Sequence, residues 1–516
     1  MIIILRKLVF YLFVSILIGF NTLMFGQVDS IIQRYRNDNY GNKVNLRQGT
    51  FSGNLIRSIF KNSGQIGQNN YSSLTPVSLE WPISSLHSYI GGYTFLIASE
   101  ITAPGTGQII HPVQTAYHEF VDSDPSNSSE TWIFHPISGY SNPNSDKPAI
   151  NTDSTTWPSY WPAALNLDSS YNGHWYGYFG KDNFYPTFES FSALDDSKDK
   201  EWCKAPYNYF PVLNDTNRAG LGLRLETRVM QWDKELIEDI VFINYDITNL
   251  SDFDYPTTCF GLFSQPAIGG YFDLGDDMVS MSTELNLVYF FDSDGISHSP
   301  PPYWTPGYLG YTILDSPTFE QNQDINTVNV YPLTGSSINK LKDDEGIWIK
   351  LSNNEFNTSI QSSNLIIVAG CGPFSYPKWS TRKLVTALMC EENLENLMQN
   401  KIAAKIVYDS KYVIPDSISN IDHDPFKSNN TFNLMQNYPN PFNPSTKISY
   451  TLPRTSMVKI KIFDILGNHI QTLLDEQQTK GDYSVEFNAI GLSSGVYFYS
   501  IITDNYEQTK KMVLIK

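Results

Sequence analysis

The sequence predicts a mainly β protein: a large multi-sheet β body with one capping helix at about 391–409, then a small C-terminal immunoglobulin-like β-sandwich. Three observations carry that expectation. Aromatic residues make up 14% of the chain and charged residues only 17%, a composition suited to a folded β-rich protein rather than a disordered or coiled-coil one. Runs of β-branched and aromatic residues that end in turn residues recur through the body. The last eighty or so residues alternate apolar and polar side chains with turns about every ten positions, the pattern of a small sandwich.

The elements follow in chain order. Residues 1–26 have the layout of a signal peptide: Arg6 and Lys7, an apolar run from Leu8 to Phe20, and Gly26 before Gln27. The run is short for a membrane span and lacks a basic stop-transfer flank, so the expectation is an exported chain with no transmembrane anchor. Residues 27–414 form an acidic β-rich body. "GLRLETRVMQW" (Gly222–Trp232), "DIVFINYDITNLSD" (Asp239–Asp252) and "NLVYFFDSDG" (Asn286–Gly295) read as strands. "SNLIIVAGCGPFSYPKWSTRKLVTALMC" (Ser363–Cys390) reads as strand, Gly/Pro turn and strand. That hairpin would set Cys371 beside Cys390, either as a disulfide or as buried thiols; Cys203 and Cys259 complete a cysteine set too sparse for a disulfide scaffold. The helix "EENLENLMQNKIAAKIVYD" puts Leu394, Leu397, Met398, Ile402 and Ile406 on one face, with Glu391 and Glu392 at its positive end.

Residues 415–433 are polar, Pro- and Asn-rich and aperiodic, and read as a linker. The stretch "NLMQNYPNPFNPSTKISYTLP" (Asn433–Pro453) follows. Its prolines hold the leading segment extended and withhold N–H groups from a sheet edge. Charge separates the two parts. The segment from Leu434 onward carries a net +1 and Arg6 and Lys7 add +2 while the chain carries −18, which leaves −21 on residues 27–433. Such acidity argues against nucleic acid or an anionic membrane surface as partner.

"YPNPFNPSTKISYTLP", "VKIKIFDILGNHIQTLL", "GLSSGVYFYSI" and the terminal "KKMVLIK" together closely resemble the type A C-terminal sorting domain of the type IX secretion system, over residues 434–516. The resemblance implies a sandwich read by the outer-membrane translocon of Bacteroidetes-type bacteria, with the cargo then released or attached to the cell surface. It places the sorting signal at Pro439, Asn440, Pro441, Phe442, Asn443, Pro444, Gly467, Gly495 and Lys511. The body ("EWPISSLHSYIGG", "TWPSYWPA", "EDIVFINYDITNLSD", "GCGPFSYP") resembles a group of large secreted proteins with the same tail, which implies no activity. Members of that group show an Asp-Pro-Asp segment after the "YDITN" strand. Here the matching place has Gln265 and Ala267, so the resemblance carries no ion-binding role to it.

Four candidate chemistries remain to be weighed. Asp273, Asp276, Asp277, Asp292 and Asp294 lie on two neighbouring turns and offer the oxygen ligands calcium takes; the competing reading is solvated acidic turns. Carboxylate pairs with the loops around Trp157, Trp161, Trp175 and Trp304 suit a polysaccharide-acting enzyme, although these tryptophans equally suit core packing. "GLSSG" (Gly491–Gly495) matches a nucleophile elbow but sits before a sandwich strand, the wrong context. "HEFVD" at His118–Glu119 lacks the second histidine of a zinc helix. The function expected is a secreted, non-enzymatic binding or structural protein with a carbohydrate or protein ligand. The alternative is an extracellular enzyme acting on polysaccharide.

Overall fold

The computed structural model describes residues 30–67, 78–116, 123–299, 303–317, 325–332, 343–358, 364–415, 433–434, 437, 442–452, 454–464, 468–479, 481–503 and 506–514. The signal-peptide segment, most of the expected linker, the "HEFVD" motif, and Pro439, Asn440, Pro441 and Gly467 lie outside them. The chain divides into two compact units, Met1–Ile414 and Pro415–Lys516, and it is mostly β.

The first unit is built on two sheets. The larger, nine-stranded sheet runs in the order Ala149–Ile150, Phe188–Asp195, Leu223–Gln231, Ile240–Asn249, Thr381–Glu391, Tyr308–Asp315, Leu287–Asp292 and Asp277–Ser282, with His135–Pro136 also on Phe188–Asp195. The six-stranded sheet runs Phe356–Asn357, Thr327–Pro332, Leu365–Tyr376, Tyr255–Pro266, Ile90–Ser99 and Val113–Thr115. The inner faces share one core. Phe95 packs on Tyr245 with ring centroids 5.0 Å apart. The Tyr93 hydroxyl donates to Thr386 Oγ1 at 3.0 Å, and the Tyr376 hydroxyl donates to the Ile247 carbonyl at 2.7 Å. Large aromatics thus bridge the sheets while each polar tip keeps a partner.

The Ile90–Ser99 strand is buried along its whole length, because a helix covers the outer face of its sheet. That helix, Asp344–Ser352, is capped by the Asp343 side chain, which accepts from the Gly346 N–H at 3.1 Å. It sends Ile347, Trp348 and Leu351 onto Leu96, Ala98, Cys259, Phe263, Ile366 and Val368. Leu351 fits a notch between Gly261 and Gly370, which face each other across two strands. A Cβ on Gly261 would stand 2.4 Å from Leu351 Cδ2.

The expected helix is present as Leu394–Asp409 and packs on the Thr381–Glu391 and Tyr308–Asp315 strands. It begins later than the sequence predicts: Asn393 is its cap, and Glu391 ends the preceding strand. Its buried face is Leu397, Ile402, Ala403, Ala404, Val407 and Tyr408, so Ile406 and Met398 are only half-buried. The small Ala403 and Ala404 let the helix approach the sheet, which rotates the contact stripe from the bulkier positions.

The expected hairpin over 363–390 is corrected. Its two strands belong to different sheets, and the first continues through Gly372-Pro373 to Tyr376 past register shifts opposite Tyr255–Phe260. Proline is tolerated there because the ladder is interrupted. The turn falls at Pro377–Ser380, closed by the Ser380 hydroxyl on the Pro377 carbonyl at 2.6 Å. No disulfide joins the four cysteines. Burial pushes the Cys203 and Cys259 thiols up to about 12, which makes them unreactive.

The second unit stacks a three-stranded sheet (Asn433–Leu434, Ser445–Leu452, Gly481–Asn488) on a four-stranded one (His469–Gln478, Ser456–Phe463, Gly495–Thr503, Tyr506–Leu514). Ser456–Phe463 alternates buried Val458, Ile460 and Ile462 with outward lysines, as a one-sided strand must. Ile448, Tyr450, Tyr499, Ile501, Met512 and Leu514 complete a separate core.

The notch gives a test. Gly261→Ala is expected to destabilise by about 1–3 kcal/mol through overpacking, and Leu351→Ala by about 2–5 kcal/mol through an unfilled cavity. The double variant should lose less than the sum, a coupling of about 0.5–3 kcal/mol measured by urea denaturation.

Candidate metal centre

After the Tyr255–Pro266 strand the chain passes through Gly269 and Gly270, both at positive φ, then a short helical turn at Tyr271–Asp273, and enters the edge strand Asp277–Ser282. The left-handed turn needs glycine at Gly269 for a second reason: a Cβ there would lie 2.2 Å from Asp273 Oδ2. The neighbouring Leu287–Asp292 strand sets Asp292 directly opposite Asp277. Asp273, Asp276 and Asp292 then each offer one oxygen within 4.8 Å of the others. Asp273 and Asp292 are buried and Asp276 is half-buried.

Their hydrogen bonds are incomplete. Asp273 Oδ1 meets His298 Nδ1 at 2.7 Å. Asp292 Oδ1 accepts from the backbone N–H groups of Asp294 at 3.1 Å and Gly295 at 2.5 Å. Asp277 Oδ1 accepts from the Ile268 N–H at 3.0 Å. The Oδ2 atoms of Asp273, Asp277 and Asp292 are buried without a hydrogen-bond partner. Leaving such atoms unpaired is costly, and facing carboxylates on adjacent strands add repulsion. Burial first, and neighbouring carboxylates with it, hold Asp276 and Asp277 above the ordinary carboxyl range and push Asp292 up to about 6. The hydrogen bond that His298 Nδ1 donates to Asp273 raises the exposed His298.

Of the five aspartates singled out in the sequence, three converge. Asp277 is the buried neighbour of the triad. Asp294 is exposed and caps its own turn by accepting from the Ile296 N–H at 2.8 Å. An all-oxygen donor set selects hard cations, and calcium–oxygen bonds of about 2.4 Å place opposed ligands about 4.8 Å apart. The three oxygens of the triad lie within that distance of one another.

The other sequence candidates fall elsewhere. Trp161 and Trp175 are buried in a satellite core with Phe191 and Tyr140, and Trp157 packs against it. Trp304 stacks on His87 with centroids 3.7 Å apart. Ser493 precedes the antiparallel Gly495–Thr503 strand, which is not the setting of a nucleophile elbow.

In the C-terminal unit, Phe442 of the predicted sorting signal is buried against Phe487 with centroids 5.9 Å apart. Its N–H donates to the Val513 carbonyl at 2.9 Å. The Pro444 carbonyl accepts from the Ala489 N–H at 2.9 Å. Asn443, Gly495 and Lys511 are exposed, and the last two sit on the paired terminal strands. Asn437 was not foreseen from sequence. It is buried, donates its N–H to the Tyr499 hydroxyl at 2.8 Å, and donates its amide to Thr446 Oγ1 at 2.9 Å. An amide beside a proline-rich run was the available signal.

Residues 436–516 match the family described as the secretion system C-terminal sorting domain. The segment is a type IX sorting domain, which makes the chain cargo for export across the outer membrane and brings it into contact with the secretion machinery. No curated protein matches the chain. Among solved structures, a polysaccharide lyase is similar at 8% identity and a TM-score of 0.21, over 57% of this chain and 34% of its own. Dimeric latent PorU from Porphyromonas gingivalis is similar at 10% identity and a TM-score of 0.15, over 56% and 26%. The chain thus spans about a third and a quarter of these proteins, and similarities of this size carry no conclusion about the body. Among the described residues no helix is long and apolar enough to cross a membrane.

Two outcomes are expected. In chelator, the folded state retains protons on Asp292 and its neighbours that the unfolded chain releases, so stability falls as pH rises from about 4 through about 6. His298, raised in the fold, acts in the same direction. Melting temperatures from pH 4.5 to 7.5 should decline less steeply for Asp292→Asn than for the parent. Separately, Tyr499→Phe removes the hydroxyl that accepts the Asn437 N–H. It should cost the C-terminal unit about 1–3 kcal/mol in urea denaturation.

Proposed function

We propose that this type IX cargo, led to the periplasm by the signal peptide at its N terminus, is a calcium-binding, non-enzymatic binding or structural protein, delivered to the cell surface or released from it. The observation that carries the reading is the convergence of Asp273, Asp276 and Asp292 at the edge of the body's larger sheet, with buried unpartnered oxygens on Asp273, Asp292 and the adjacent Asp277. A divalent cation there supplies what the fold withholds: a partner for the Oδ2 atoms and neutralisation of the Asp277–Asp292 pair. Such a site ties the turn 269–276 to the turn 292–299, two loops whose ends lie on neighbouring strands, and so stiffens a sheet edge in a calcium-rich exterior. The arrangement is structural in kind. The buried carboxylates face each other across strands rather than across a cleft, which is not the disposition of a glycosidase acid pair.

Calorimetric and melting titrations of the full-length protein test this. Calcium is expected to raise the melting temperature above pH 6, EDTA to reverse the rise, and Asp276→Asn to abolish most of it. At pH 4.5, where protons occupy the site, the shift should be small. Equal melting curves with calcium and EDTA at pH 7.5 would remove the ion from the proposal.

A further inference from the structure

On the outer face of the nine-stranded sheet, away from the acidic triad, lies an open cavity of about 340 Å³. Its wall is the 171–180 loop, which presents Tyr171, Tyr176 and Tyr178; its floor is Glu226, Arg228, Asn244 and Asp246 on two adjacent strands. Glu226 and Asp246 are direct cross-strand partners. Asn244 is 2% exposed. Its Oδ1 accepts from the Tyr412 hydroxyl at 2.7 Å, while its Nδ2 is buried and unpartnered. A buried amide donor is thus held by one oxygen and left open at its nitrogen, on the floor of a cavity.

Every charge around this floor already has an opposite neighbour. Glu226 lies 3.2 Å from Arg224 Nη2, a guanidinium it shares with Asp38, Asp246 lies 3.9 Å from Lys383 Nζ, and Arg228 pairs with Glu189. An ionic ligand would have to displace one of these contacts to find a partner. What the floor offers is a mixture of acceptors and donors within one small area, beside flat aromatic rings. Hydroxyl groups both donate and accept, and the C–H faces of a sugar ring pack on tyrosines. The volume lies at the lower end of the usual range of small-ligand sites, about 300–1,000 Å³.

We propose that the tyrosine-walled groove over Glu226, Asn244 and Asp246 is a binding site for a neutral saccharide unit. The proposal rests on reading the chain as a binding protein and is independent of the cation. The two carboxylates lie side by side on one sheet face, as a floor, so they hold a ligand from beneath.

Titration calorimetry and saturation-transfer NMR of the full-length protein would use glucose, galactose, mannose, N-acetylglucosamine and their disaccharides. Glucuronate and tetramethylammonium serve as anionic and cationic probes. At least one neutral saccharide should bind, with and without EDTA. Tyr178→Ala and Asp246→Asn should each weaken it about tenfold or more, with circular dichroism and calcium response unchanged. The proposal is overturned if no neutral saccharide binds, if a charged probe binds better, or if both variants bind as the parent does. Release of new reducing ends would also overturn it, in favour of an enzyme. A calcium shift that survives any of these results leaves the metal reading standing, so the two fail separately.

Discussion

The aromatic contact between the inner faces of the two body sheets is the constraint on which the remaining features depend. Tyr93 and Phe95 from one sheet meet Tyr311, Thr386 and Tyr245 from the other. Because strand side chains alternate, fixing Tyr245 inward forces Asn244 and Asp246 outward. Fixing Leu309 in the shared core likewise puts Gly310 under Leu397 of the outer helix. The inner packing therefore decides which positions are left for helices, loops and ligands.

The two outer faces are used differently. The six-stranded sheet is sealed by a short helix whose leucine enters a glycine notch, and its central strands read as continuous apolar runs. The nine-stranded sheet is covered at one end by the satellite core of Trp161 and Trp175 and near its middle by the Leu394–Asp409 helix. Between these coverings the polar positions of Leu223–Gln231 and Ile240–Asn249 face a groove. At the far edge, where strands run out, the acidic turns gather.

Much of this architecture was legible in the sequence. The alternation of Ser456–Phe463, the ten-residue spacing of the tail and the strand runs of the body reflect periods that sequence displays directly. Asp273, Asp276 and Asp292 were legible as a cluster because they lie on turns joined by a two-stranded meander, so nearness in sequence became nearness in space. Other features depend on long-range placement. The Asp344–Ser352 helix is too short to show a helical period, and its signal was the unbroken burial of strands far away in the chain. The crossing at Pro377–Ser380 resembles a hairpin locally; only the partners of each strand, Tyr255–Pro266 and Ile240–Asn249, assign them to separate sheets. The groove joins a loop at 171–180 to strands beginning fifty residues later, a juxtaposition no local pattern announces.

The acidity of the body illustrates why counting residues is weaker than following their partners. Buried acids elsewhere in this unit are compensated: Glu189 by Arg228, Asp38 by Arg224, and Asp196 by the N–H groups of Leu221 and Leu223, both at 2.8 Å. Among the described residues, the buried carboxylate oxygens without a hydrogen bond belong to Glu80, Asp195, Asp273, Asp277 and Asp292. Glu80 has Arg57 at 2.6 Å and Asp195 has Arg218 at 3.6 Å. The other three are neighbours in one corner, where the basic partner is a single exposed histidine on Asp273. Here backbone amides reach only one oxygen each of Asp277 and Asp292 and no guanidinium is supplied, so three buried Oδ2 atoms keep the unmet demand for positive charge that the proposed cation would answer.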